Sequence, residues 1–138
     1  LQEEIRTHMY SETSNSIRVS VKPVFLDTES VPIHNHFLWA YHIRIENLSE
    51  DTIKLCTRQW RITDAHGADQ HIQGDGVIGQ HPTLKPGETF EYASSAPLNT
   101  PSGIMGGEYG MVNQNGEMFN VKIPSFSLDS PYQMVSIQ

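Results

Sequence analysis

The chain has 138 residues, with 16 acids against 9 lysines and arginines, a net charge of −7 and a pI near 5.4. That balance excludes generic binding to nucleic acid or to an anionic membrane surface, because both need a basic face. A single cysteine, Cys56, excludes an internal disulfide framework. Neither a signal peptide nor an apolar run of membrane-spanning length is read, so one cytoplasmic domain large enough to bury a core is expected.

In chain order, residues 1–16 are polar and unpatterned and are expected to form a poorly ordered arm. His8-Met9 fits either a junction, with Met9 the natural start and residues 1–8 a remnant, or a native N-terminal extension. Ile17, Val19 and Val21 alternate with Arg18, Ser20 and Lys22, the period of a half-buried strand that ends near Pro23 or Phe25. Leu26 to Asn35 carries acids, Pro32 and His34, and predicts a loop. Phe37, Trp39, Tyr41, Ile43 and Ile45 then point one way, and Leu38, Ala40, His42, Arg44 and Glu46 the other. Burying those five large side chains is worth roughly 8–15 kcal/mol of transfer free energy as an upper bound, which makes this strand the expected centre of the core.

Asn47 to Asp51 turns the chain into a strand over Thr52 to Thr63. Ile53 and Leu55 share one parity there, and Cys56, Trp60 and Ile62 the other, so a bulge is expected near Cys56 or Thr57. Asp64-Ala65-His66-Gly67 closes a hairpin. A glycine-rich stretch follows, with at most a short strand around Val77. Thr89 to Ser95 alternates again. Met105 to Val112 and Glu117 to Ile123 flank Asn113-Gln114-Asn115-Gly116, a hairpin signal, and Pro124 to Leu128 ends the last strand with a kink. About seven short strands, frequent turns and no amphipathic helix predict an all-β fold, an immunoglobulin-like or fibronectin type III-like antiparallel β-sandwich over residues 17–128, with a short tail at 129–138.

Gly74, Gly76 and Gly79 stand at the G-x-G-x-x-G spacing of a dinucleotide cradle. Such a cradle needs a buried parallel strand before it and a helix after it, so that the helix N-terminus faces the pyrophosphate. Ala68 to Gln73 is too polar for that strand. Pro82 and Pro86 exclude that helix. The glycines are therefore expected to supply positive φ or close backbone contact in an all-β loop.

Several joined motifs resemble the ApaG family. They are Trp60-Arg61-Ile62-Thr63-Asp64; Gly74-x-Gly76-Val77-x-Gly79-x-x-Pro82-x-Leu84-x-Pro86-Gly87-Glu88-x-Phe90-x-Tyr92-x-Ser94; Pro97-Leu98-x-Thr100-Pro101-x-Gly103-x-Met105-x-Gly107-x-Tyr109; and Phe119-x-Val121-x-Ile123-Pro124-x-Phe126-x-Leu128. The resemblance runs from Ile17 to Leu128 and leaves out the N-terminal arm. It implies a fibronectin type III-like sandwich. It also implies a link to cobalt resistance and magnesium efflux, without a settled biochemical activity. The same domain occurs in eukaryotic F-box proteins and in a DNA-polymerase-delta-interacting protein, where it resembles a protein-interaction module. The family's glycine motif also invites a nucleotide-binding alternative.

No catalytic residue is assigned. Cys56 fits a small buried side chain, no serine sits in G-x-S-x-G, and Asp64, Asp69 and Asp75 lie in polar loops. The seven histidines, among them His34, His36, His66, His71 and His81, suggest a divalent-metal alternative, but no H-x₃-H or C-x₂-C spacing supports it. No metal or cofactor is therefore assigned. The expected function is non-enzymatic contact with an unidentified protein partner, without nucleic acid or membrane insertion. A two-fold homodimer through a sheet edge or face is compatible with it. The candidate interaction or ligand loop comprises Gly74, Gly76, Val77, Ile78, Gly79, Pro82, Leu98 and Met105, and its apolar members are either exposed contacts or core anchors. Trp39 and Trp60 belong to the core, while Arg58 and Arg61 face solvent or pair with acids.

Overall fold

The computed structural model describes residues 9–132; residues 1–8 and 133–138, which hold half of the expected arm and most of the tail, lie outside the described residues. Nine strands form two antiparallel sheets, which pack as a β-sandwich. The first sheet has the order β1 (Tyr10–Ser14), β2 (Ile17–Phe25), β3 (Phe37–Asn47), β7 (Thr89–Leu98). The second has the order β5 (Asp69–Asp75), β4 (Ile53–Asp64), β8 (Ser102–Asn113), β9 (Met118–Asp129), and the two-residue β6 (Thr83–Leu84) pairs with the start of β4. No described helix is long and apolar enough to cross a membrane.

The alternation in β3 holds along its length: Phe37, Trp39, Tyr41, Ile43 and Ile45 are buried between the sheets. Tyr41 packs on Trp60 of β4 at 5.1 Å between ring centroids, so the two sheets interlock at their centre. The register between β4 and β8 slips between Leu55 and Thr57, the bulge that the broken parity required. A second slip, between Met105 and Gly107, lies where β9 carries Pro124.

Three strands depart from the sequence expectation. Tyr10–Ser14 is not a loose arm but the edge strand β1, paired with β2 through Asn15 and Ser16, both in the left-handed region at φ 50° and 62°. A two-residue turn of that type suits the strand twist, but it usually advertises itself with glycine, and none is present. Asp69–Asp75 is a full strand although nearly all its residues are exposed. The polarity that excludes a buried parallel strand is no obstacle at the edge of an antiparallel sheet. The short β6 brings Leu84 into the core.

One end of the sandwich is pinned by Asn47, which is fully buried. Its side-chain amide donates to the carbonyls of Asp51 (2.8 Å) and Leu84 (3.0 Å), and its side-chain oxygen accepts from the Ser49 backbone N–H (3.0 Å) and hydroxyl (2.6 Å). All the hydrogen-bonding capacity of that amide is used, so a polar side chain sits in the core without an unpaired group. At the centre, the Tyr92 and Tyr109 hydroxyls meet at 2.6 Å.

Burial raises the phenol pKa values of Tyr41, Tyr92 and Tyr109 above the ordinary value of 10. The folded protein therefore keeps protons that the unfolded chain releases above that pH, and the stability these groups contribute is lost as pH rises past it. Urea melts should show a falling unfolding free energy above about pH 10, with a limiting slope of about 1.4 kcal/mol per pH unit for each tyrosine still protonated only in the fold. Tyr109→Phe should flatten that slope; the same slope in the variant would contradict the assignment to this pair.

Candidate functional site

The glycine run begins where β5 leaves β4. In β4 the bulge leaves Cys56 unpaired with β8, and its carbonyl accepts from the Gly76 N–H at 2.8 Å. Beyond the bulge the parity has changed, so Arg58 falls on the inward face with Trp60 and Ile62. Its guanidinium lies flat against Gly74, where a Cβ would stand only 2.6 Å from Nη2, and its Nη1 donates to the carbonyls of Asp75 and Gly76, both at 2.9 Å. Gly74 thus leaves room for the arginine. Gly76, at φ 63°, has no space for a side chain against the Gln80 carbonyl. Gly79 completes a two-residue turn.

Val77 and Gln80 exchange two backbone hydrogen bonds around Ile78 and Gly79, at 2.9 and 2.8 Å. The N–H groups of Gly76, Val77 and Gln80, which a phosphate cradle would have to offer, are thereby engaged within the chain. No helix starts at Gly79; Pro82 follows, and its carbonyl accepts from Leu55 N–H at 3.0 Å. Both turn residues have positive φ, 43° at Ile78 and 76° at Gly79. A β-branched residue in that region is strained by about 1–3 kcal/mol, and Ile78, 53 % exposed, recovers little of it by burial.

The structure separates the candidate residues. Val77, Leu98 and Met105 are buried in the core and cannot serve as surface contacts. Of the candidate apolar loop residues only Ile78 is displayed. Arg61 pairs with Asp69 at 2.6 Å, and the Thr63 hydroxyl donates to the same carboxylate at 2.6 Å. Those two donors hold the Asp69 pKa below the usual carboxylate range. Arg58 has no such acid partner among the described residues, and the expectation that it faces solvent or pairs with an acid is corrected: it faces inward and braces the glycine run. Counting back by twos from Trp60 would have placed it there.

Arg58 also lines a cleft of about 180 Å³ between the sheets, with Tyr41, Trp60, Ile72, Ser94 and Met105. This is the open side of the sandwich, bounded by the edge strands β7 and β5. The opposite side is closed. There the Asn15 side chain donates to the Asn120 carbonyl (2.7 Å), the Ser14 hydroxyl accepts from the Lys122 N–H (2.9 Å), and Tyr10 stacks near Phe126 at 6.0 Å.

Which backbone groups of β7 are free follows from the register. Leu38 sends its carbonyl to Leu26 N–H and its N–H to Ser30, away from β7, whereas Asn47 turns its N–H to Glu88. Alternate residues of β3 therefore bond β7 through Phe90, Tyr92, Ser94 and Ala96. The N–H and C=O groups of Glu91, Ala93 and Ser95 point outward, where no strand among the described residues pairs with them. On β5, Gln70 and Ile72 line the cleft yet remain exposed, so the second sheet extends past the first on this side.

Among the described residues no three His, Cys, Asp or Glu side chains converge on a metal-sized site. Asp64 caps its own turn, accepting from the N–H groups of His66 (2.8 Å) and Ala68 (3.0 Å). Cys56 is half-buried, and among the described residues its side chain makes one hydrogen bond, to the Lys54 carbonyl at 3.8 Å. A larger groove, about 570 Å³, crosses the outer face of the second sheet over Gly106 and Gly107, but it mixes Glu12 and Glu108 with Arg61 and Lys122.

The sequence profile described as the ApaG domain matches residues 27–113. A protein named ApaG from Rhodospirillum centenum is 56% identical over 124 residues, covering 90% of this chain and 95% of the relative. Its namesake in Paramagnetospirillum magneticum is 51% identical over 125 residues, covering 91% and 96%. The crystal structure of a protein from Bordetella pertussis titled as a putative ApaA protein superposes with a TM-score of 0.81 at 41% identity, covering 86% of this chain and 95% of that one.

The turn at Ile78 and Gly79 yields a pair of predictions of opposite sign. Ile78→Asn, which places a residue tolerant of this backbone, should raise the unfolding free energy by about 1 kcal/mol. Gly76→Val should lower it by more than that. Denaturant melts decide; a loss of stability in Ile78→Asn would mean that the isoleucine is held by packing after all.

Proposed function

The chain belongs to the ApaG domain family, and on that footing we propose that it is a non-enzymatic protein-interaction module of the cytoplasm whose contact surface is the open side of the sandwich. The observation that carries this is the asymmetry of the two sides. One is closed by β1 against β9. Among the described residues the other offers an unpaired edge of β7, an uncovered inner face of β5 and, just past the end of β5, a displayed isoleucine in a strained turn. An extended segment of a partner can add to such an edge through backbone hydrogen bonds and take its specificity from the side chains that alternate inward. Strain kept at an exposed residue, where asparagine or glycine would relax it, supports a use for that side chain in contact.

The family's link to cobalt resistance and magnesium efflux would then run through binding a transporter or a regulator rather than through the metal itself. In keeping with this, chelator-stripped protein should give no saturable heat with Co²⁺, Mg²⁺ or ATP. The direct test is capture from the native cytoplasm with wild type and with an Ala93→Pro, Ile72→Glu double variant. Ala93 loses an outward N–H that the fold does not use, and Ile72 exchanges an uncovered apolar face for a charge. The variant should keep its melting temperature and lose its captured proteins; an unchanged set of captured proteins would overturn the proposal.

A further inference from the structure

We propose that the strand accepted at the β7 edge carries an inward-facing carboxylate side chain, Asp or Glu, that is received by Arg58, with an apolar residue two positions away resting on Ile72. This rests on the reading of the open edge as a strand acceptor, and it adds the chemistry of the occupant.

Three observations converge on it. The first is charge. The chain carries 16 acids, yet none forms an ion pair with Arg58 among the described residues. Its Nη1 is spent on two carbonyls, while Nη2 and Nε make no hydrogen bond to another described residue. The polar groups that face it across the cleft come from β3, β5 and β7: the Tyr41 phenol, Gln70 and the Ser94 hydroxyl. All are neutral. The Tyr92 and Tyr109 phenols behind them are held in the neutral form by burial. A half-buried guanidinium with no counter-charge attracts a carboxylate, and its planar fork suits one geometrically.

The second observation is coverage. Gln70 and Ile72 lie on the inner face of β5 and remain exposed, and among the described residues the first sheet stops at β7 before covering them. A strand added to β7 would lie over this overhang. The third is spacing. Arg58 stands opposite Gly74, and Ile72 lies two residues before Gly74 on the same face. Alternate residues of a strand are about 6.8 Å apart, so one inward side chain can rest on Ile72 while the next meets Arg58. The occupant is therefore an extended segment with an acid and an apolar residue at i and i+2. A free anion would satisfy only the first observation.

The test uses two acetylated and amidated octapeptides of alternating Thr and Val, one with a single Glu in place of a central Val and its twin with Gln. Amide and Arg58 Nε–H chemical shifts of the labelled protein are followed on titration, with sodium acetate as a third probe. Shifts are expected at Glu91, Ala93, Ser95 and Arg58, with about tenfold tighter binding of the Glu peptide and a difference that shrinks at high salt. Because the change is made in the peptide, no variant of Arg58 has to fold. Equal binding of the twins, with shifts along β7, would overturn the carboxylate assignment and leave strand addition standing. Silence of β7 with both peptides would overturn the edge reading and this inference with it. Acetate shifting Arg58 as strongly as the Glu peptide would reduce the site to a small-anion contact and equally overturn the proposal.

Discussion

The bulge at Cys56 and the arginine it turns inward are the constraint on which the open side of this molecule depends. Without the inserted residue, Thr57 and Gln59 would continue the inward parity of Ile53 and Leu55, and Arg58 would point to solvent. With it, the Cys56 carbonyl is free to receive the Gly76 N–H, and the Arg58 guanidinium can lie on Gly74 and hold the carbonyls of Asp75 and Gly76. One extra residue in one strand thus sets the shape of the glycine loop, the display of Ile78 and the positive charge in the cleft. Gly74 makes room for the protein's own cation, and the N–H groups of Gly76, Val77 and Gln80 are taken up within the chain.

The rest of the sandwich makes this side differ from the other. A β-sandwich has four strand edges, each a liability unless covered. Here β1 covers the flank of β9 with side-chain hydrogen bonds and an aromatic contact, so that side is sealed. On the other side Glu91 of β7 is drawn back over its own sheet by Arg44 and His42, at 3.7 and 3.3 Å, which leaves the backbone groups of the edge open. The interlock of Tyr41 with Trp60 and the buried Tyr92–Tyr109 pair keep both sheets rigid beneath the cleft. A rigid, partly uncovered edge loses little entropy when it receives a strand.

Much of this was legible in the sequence, and what was not has physical causes. The alternation from Phe37 to Ile45 is long and clean, because both faces of β3 have fixed environments. The parity break in β4 revealed its bulge. Asp69–Asp75 was hidden because an edge strand with little covering it needs no apolar pattern, and β1 because Asn15 and Ser16 make a hairpin turn without glycine. The candidate loop was legible as a loop, but its four apolar members divide by tertiary contact, which no local pattern encodes. Val77, Leu98 and Met105 go to the core, and Ile78 goes to the surface. Asn47 reads as a turn former, and only the structure shows it fully buried at the meeting of β3, β6 and the β3–β4 turn.

The openness of the β7 edge is the central claim, and amide hydrogen exchange followed by NMR measures it most directly. Phe90, Tyr92, Ser94 and Ala96 should be protected by their bonds to β3, while Glu91, Ala93 and Ser95 should exchange on the time scale of exposed amides. Protection that is uniform along β7 in the isolated protein would mean that the edge is already occupied, by this chain or by a second copy, and would contradict the account.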